Sequence, residues 1–164
     1  MLDHRTVALN GLPINLSDFE GVPPLPLDVD DDYLTPHAHL PQPAHRTSSM
    51  TGFIAVTRIW QIVARCQLRQ KIYTLQSSSF EGESAVEVDG LLDWLVESLV
   101  KVRKVVDDLP KELKRDFGEL QFERDGAEKV AFGIQQANIY VTALVAEFVF
   151  VCSPVLLQDF AFQE

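Results

Sequence analysis

The sequence predicts an all-α fold: an irregular, partial helical domain preceded by an extended segment rich in proline and aspartate. Three observations predict it. Seven of the nine prolines lie in residues 1–50, where apolar periodicity is weak. After residue 50 apolar residues recur at three- and four-residue steps, the period of an amphipathic helix. The last apolar stretch is long and has no internal turn signal, which favours one helix over several strands.

The segment 1–50 carries seven acids, two basic residues and all four histidines. Proline fixes φ and pushes its predecessor toward extended geometry, so no helix crosses Pro23-Pro24-Leu25-Pro26. Within "VPPLPLDVDDDYLTP" the alternation predicts that Leu25, Leu27 and Val29 lie against the helical body while the aspartates point to water.

Residues 51–164 form the predicted helical part. Thr47, Ser48 or Ser49 offers an N-cap for the first helix. Phe53, Val56, Ile59, Trp60, Val63 and Cys66 then form one stripe, and Leu68, Ile72 and Leu75 a second, shifted one. Arg58, Arg65, Arg69 and Lys71 make the other face basic. Residues 76–90, "QSSSFEGESAVEVDG", read as a polar loop, with Asp89 as the next N-cap. Leu92, Leu95, Leu99, Val102 and Val106 line a second helix that Leu109-Pro110 stops. Residues 111–126 read as a short charged helix and a turn. A third helix runs through Ile139–Val151 and ends near Ser153-Pro154.

Charge and composition exclude several functions. The net charge of −10 repels phosphate backbones, so the chain is a poor nucleic-acid ligand by itself. Two cysteines, Cys66 and Cys152, sit among apolar helical neighbours and read as buried free thiols of a reducing compartment. The first residues show neither a secretory signal nor a transit-peptide character. Ile139–Leu157 has the length to cross a bilayer. Glu147 near its middle would cost roughly 2.5–3.5 kcal/mol there, which favours a helix buried in protein.

The candidate chemical sites fail on their residues. Asp28-x-Asp30-x-Asp32 fits the first positions of a calcium loop, but Tyr33 stands where the turn needs glycine and His39 where it needs glutamate. His37, His39 and His45 lack a fixed fourth ligand and read as exposed. Ser77-Ser78-Ser79 reads as linker, and Trp60 and Trp94 as core anchors. No nucleophile elbow, phosphate loop or His-Glu-x-x-His occurs. No catalytic, cofactor-binding or metal residue is assigned, and the chain is not expected to be an enzyme.

Four segments resemble one family in the same order. "LNGLPINLSDFEGVPPLPLDVDDDYL" resembles the Gly-Arg-Pro, Leu-Pro and Val-Asp-Asp-Glu stretch of the fungal-specific transcription factor domain. "SSMTGFIAVTRIWQIVARCQLRQKIYTL" is similar to the helix that follows it there. "LLDWLVESLVKVRKVVDDLPKEL" and "FGIQQANIYVTAL" resemble its later helices. This domain is the regulatory middle region of binuclear zinc-cluster transcription factors. The chain departs from the pattern at Leu12, where the family has arginine, and lacks the six-cysteine zinc cluster. The resemblance implies an all-α, nuclear, truncated regulatory piece that modulates RNA polymerase II transcription. It implies transcriptional regulators, or another domain of the parent, as partners. DNA and zinc would be bound only through a module absent here. The alternatives are a stand-alone helical interaction module, with homo-oligomers, and a membrane-associated protein using residues 139–157.

Overall fold

The computed structural model describes residues 24–43, 46–77, 84–114 and 126–161. Three long α-helices carry the fold: α1, Met50–Ser77; α2, Ser84–Asp107; and α3, Gly126–Ala161. Each packs against the other two. A short 3₁₀ turn, Asp31–Tyr33, precedes them, with one bridge between Leu34 and His39. The described residues contain no longer strand pairing, so the all-α expectation holds.

The core follows the helical period. From α1 come Val56, Ile59, Trp60, Val63 and Cys66; from α2, Leu95 and Val102; from α3, Phe132, Ile139, Ala143, Ala146 and Phe150. Ala143 and Ala146 are small and one turn apart, which lets neighbouring side chains seat close to the α3 axis. Leu109 and Leu113 close the end of the bundle after α2. Trp60 is buried and Trp94 half-buried against the core, with the Arg69 guanidinium 5.1 Å from the Trp94 ring centre.

Several sequence expectations need correction. Phe53, Ile72 and Leu92 belong to the expected stripes yet are 40–47 % exposed, because the packed arc of each helix is narrower than the apolar arc. The side chain of Leu75 lies outside the described residues. Helix α2 starts at Ser84, so Asp89 is an interior residue and not a cap. Gly90 suggested a break, but one glycine costs a helix interior only about 1 kcal/mol, which flanking turns can offset. Ser84-Ala85-Val86-Glu87 also spells the Ser-x-x-Glu of a helix start. The expected end of α2 before Pro110 is observed. Residues 111–114 form a single turn with Lys114 N–H on the Pro110 carbonyl at 3.1 Å. The remainder of the expected short helix lies outside the described residues.

Helix α3 continues through Pro154 to Ala161 instead of ending there. Proline denies one N–H to the preceding turn, yet a helix that long keeps its other bonds. α3 therefore spans about 54 Å at 1.5 Å per residue, against about 36 Å for α2.

Burial pushes the Cys66 thiol up to about 12, far above pH 7, so it stays protonated. Alkylation by iodoacetamide at pH 8 should leave Cys66 unmodified in the native protein and modify it in denaturant. Peptide mass spectrometry reads this directly. Rapid native modification would contradict the packing around Ile59 and Val63.

Candidate functional site

The first site is a polar clasp where the extended segment meets the start of α1. A helix start leaves N–H groups without partners. Here several are met from nearby oxygen atoms. Ser49 N–H donates to Asp30 Oδ1 at 2.6 Å, and Met50 N–H to Ser48 Oγ at 3.0 Å. Thr51 N–H donates to the Ser48 carbonyl at 3.2 Å. The negative Asp30 also suits the positive end of the helix dipole.

Asp30 is held in place from several sides. Its own N–H donates to Gln42 Oε1 at 2.7 Å, and Gln42 Nε2 donates to the Arg46 carbonyl at 2.9 Å. Arg46 Nε lies 3.4 Å from Asp30 Oδ2, and its Nη2 lies 3.3 Å from Glu128 Oε1 on α3. Desolvation acts to lower the Arg46 pKa, but Asp30, Tyr33 and Glu128 outweigh it and raise the value. The guanidinium therefore remains a cation.

One of the four aspartates, Asp30, does not behave as the sequence suggested. Asp30 is only 8 % exposed, while Leu27 is 56 % exposed. Leu25 and Val29 are half-buried. The correction has a simple cause: a helix N-terminus attracts a carboxylate, and that local demand overrides the apolar alternation of a short extended segment. Asp28 stays exposed and accepts from the Thr51 hydroxyl at 2.7 Å. Asp28, Asp31 and Asp32 are exposed, as the sequence suggested.

Two further contacts bring α3 into the clasp. Gln135 Nε2 donates to the Ser49 carbonyl at 2.7 Å. Gly52 lies against the same side chain: a Cβ built there would stand 2.9 Å from Gln135 Cδ and 3.0 Å from its Cβ, and nearer still to Oε1. The turn after α2 joins through Thr47, whose hydroxyl donates to Glu112 Oε2 at 2.8 Å, and through Gln136 Nε2 on the Lys114 carbonyl.

Beside the clasp lies a groove of about 380 Å³ between α1 and α2. Asp28 and Thr51 stand among its lining residues, with Ile54, Ala55, Ile62, Val105 and Leu109 supplying apolar surface. Arg58 and Arg65 come from α1, and Lys101 and Lys104 from α2. Lys101 pairs with Glu97 at 2.9 Å and Lys104 with Asp108 at 3.2 Å. The hydrogen bond from Lys101, then its charge, holds the Glu97 carboxyl below its usual range. Cations beside apolar surface can hold a ligand that carries both an anionic group and an apolar body. The basic face of α1 was legible in the sequence. That Lys101 and Lys104 come opposite it was not, because it depends on how two helices pack.

Among the described residues no group of three or more His, Cys, Asp or Glu side chains could hold a metal. His37 and His39 are exposed, and His45 lies outside the described residues. Gly126–Cys152 is long and apolar enough to cross a membrane, with mean hydropathy 1.4 and 28 % of its most apolar window buried. Its Glu147 pairs with Arg103 of α2 at 3.0 Å. Comparison with known proteins adds no relative: no family model, no curated protein and no solved structure matches this chain.

Two stability measurements follow from the clasp. Asp30→Ala should lower unfolding free energy by about 1–3 kcal/mol, through a lost cap and the loss of one of the two ion pairs of Arg46. Asp31→Asn, Asp32→Asn and Leu27→Ala should each change it by about 0.5 kcal/mol or less in urea titrations. Equal losses at Asp30 and Asp31 would refute the cap. Gly52→Ala should destabilise by about 1–3 kcal/mol, although alanine favours a helix interior by about 1 kcal/mol. Combining it with Gln135→Ala should give less than the sum of the two losses, and simple additivity would exclude the steric contact.

Proposed function

We propose that this chain is a regulatory, non-DNA-contacting portion of a fungal transcription factor, acting in the nucleus on RNA polymerase II transcription. The observation that carries this reading is the clasp. Each segment that resembles the fungal-specific transcription factor domain contributes to it: Asp30 from the aspartate stretch, Ser48, Ser49 and Gly52 from the following helix start, Glu112 after Leu-Pro, and Gln135 before Ala-Asn. Residues far apart in sequence that meet in space are what a shared fold would preserve. Their role is to join helices, which suits a regulatory body better than a catalyst.

The charge agrees. A net charge of −10 suits protein partners, with DNA affinity and zinc supplied by a separate basic module. The partners are then transcriptional regulators or another domain of the parent protein. A second reading, a stand-alone helical interaction module, is favoured by the exposed apolar side of α3, where Val130, Ile134, Val141, Leu144, Phe148 and Val151 are each more than half exposed.

Fluorescence anisotropy with duplex DNA at about 0.15 M salt should show no sequence-specific binding by this chain, given its charge. Tethered to a heterologous DNA-binding module, the chain should alter reporter transcription at least twofold, and Asp30→Ala should weaken that effect. Tight specific binding by the chain alone, or no reporter effect when tethered, would overturn the reading.

A further inference from the structure

We infer that α3 is the seam of an antiparallel homodimer, in which two copies of this chain pair through the side of the helix that faces away from the bundle. The inference rests on the residues of that side and is independent of the transcription-factor reading.

The exposed residues are Val130, Ile134, Ala137, Val141, Leu144, Phe148 and Val151. Their steps are 4, 3, 4, 3, 4 and 3, the spacing of a coiled-coil seam held over three heptads. The residues that face the bundle, Phe132, Ile139, Ala143, Ala146 and Phe150, occupy the opposite arc. α3 thus has two apolar sides, and the protomer covers one. The uncovered side leaves on the order of 100 Å² at each of its six larger residues, roughly 600 Å² in all. That is at the upper limit of what monomers expose and near the 800 Å² each partner gives to a standard interface.

Charge permits a second copy as the occupant. The seven residues of the seam are uncharged, and so are their immediate neighbours from Ala131 to Cys152, except Glu147. Glu147 is already paired with Arg103 inside the protomer at 3.0 Å. Two copies can therefore approach along this face without opposing unpaired carboxylates, despite their overall charge.

Side-chain size selects the direction. A parallel pair would stack Ala137 on its own copy and Phe148 on its own copy, leaving a void in one layer and crowding another. In an antiparallel pair with its two-fold axis between Val141 and Leu144, Ala137 faces Phe148 of the partner subunit. Ile134 then meets Val151 of the partner subunit, and Val141 meets Leu144 of the partner subunit. The smallest seam residue meets the largest, which fills the layers evenly. A single two-fold axis also closes the assembly along α3, since the same face of both copies is used up in one interface.

The test uses the full chain. Sedimentation equilibrium should give twice the 18.4 kDa chain mass. Leu144→Glu should weaken self-association at least tenfold while circular dichroism and the melting transition show a folded protomer, since Leu144 is 62 % exposed there. Direction is read by oxidative cross-linking in a Cys152→Ser background. Ile134→Cys and Val151→Cys should cross-link only when both are present, because each lies about 25 Å from its own copy in the antiparallel pair. A monomer at all concentrations overturns the proposal, whether a segment of the same chain or nothing covers the seam. Cross-linking of Ile134→Cys alone overturns the antiparallel geometry. A chain that stays monomeric and co-sediments with phosphatidylcholine vesicles shows that lipid is the occupant, which also overturns it.

Discussion

The hydrogen bond from Ser49 N–H to the Asp30 carboxylate is the constraint on which the rest of this structure depends. It fixes where α1 begins, and so which residues of α1 face inward. A one-residue slip of α1 against this anchor would rotate every side chain by about 100°, moving Ile59 and Val63 off the core. The bond also holds the extended segment against the bundle. Arg46 then links Asp30 to Glu128 at the start of α3, so one ion network touches the beginnings of two helices. Neither Arg46 nor Glu128 is deeply buried, and exposed ion pairs contribute little singly. Their value here is geometric: they set the register between α1 and α3 where Gly52 and Gln135 must also fit.

Gly52 shows how that register becomes tight. Glycine is unfavourable inside a helix, so a glycine in the first turn of α1 needs a reason. The reason is the Gln135 side chain, which takes the space a methyl group would fill while its amide reaches the Ser49 carbonyl. The two helices approach closely at this end because one of them gives up a side chain. Farther along, α3 gives the small residues Ala143 and Ala146 to the same core that Ile59 and Val63 enter from α1.

The all-α class and most of the core were legible because they rest on period alone. Phe53, Val56, Ile59, Trp60, Val63 and Cys66 were read as one stripe, and all but Phe53 are buried. What failed depended on three-dimensional context. Asp30 looked like a solvated acid because nothing in its neighbours reveals that a helix start lies 19 residues ahead in sequence and beside it in space. Ser84 was hidden by Gly90, and the continuation of α3 by Pro154, since both residues are strong local punctuation that long helices can overrule. The groove was half legible. Arg58 and Arg65 share a face by spacing, but only the packing of α2 brings Lys101 and Lys104 opposite them.

The two sides of α3 explain why its sequence was ambiguous between a buried helix and a membrane span. A helix packed on one side only should be polar on the other. α3 is apolar on both, so the mean hydropathy over Gly126–Cys152 rises to 1.4 although little of the most apolar window is buried. Composition averages over the circumference and cannot separate these cases, whereas spacing can. The outer residues keep a strict 4-3 alternation with one alanine among larger side chains, and Glu147, the one acid between Ala131 and Cys152, sits at the edge where Arg103 can reach it. A lipid-facing surface requires only apolarity and has no use for a fixed alternation or an alanine opposite a phenylalanine. A helix that must mesh with another helix requires both. The order of residues on the outer side of α3 therefore argues for a protein surface as its cover.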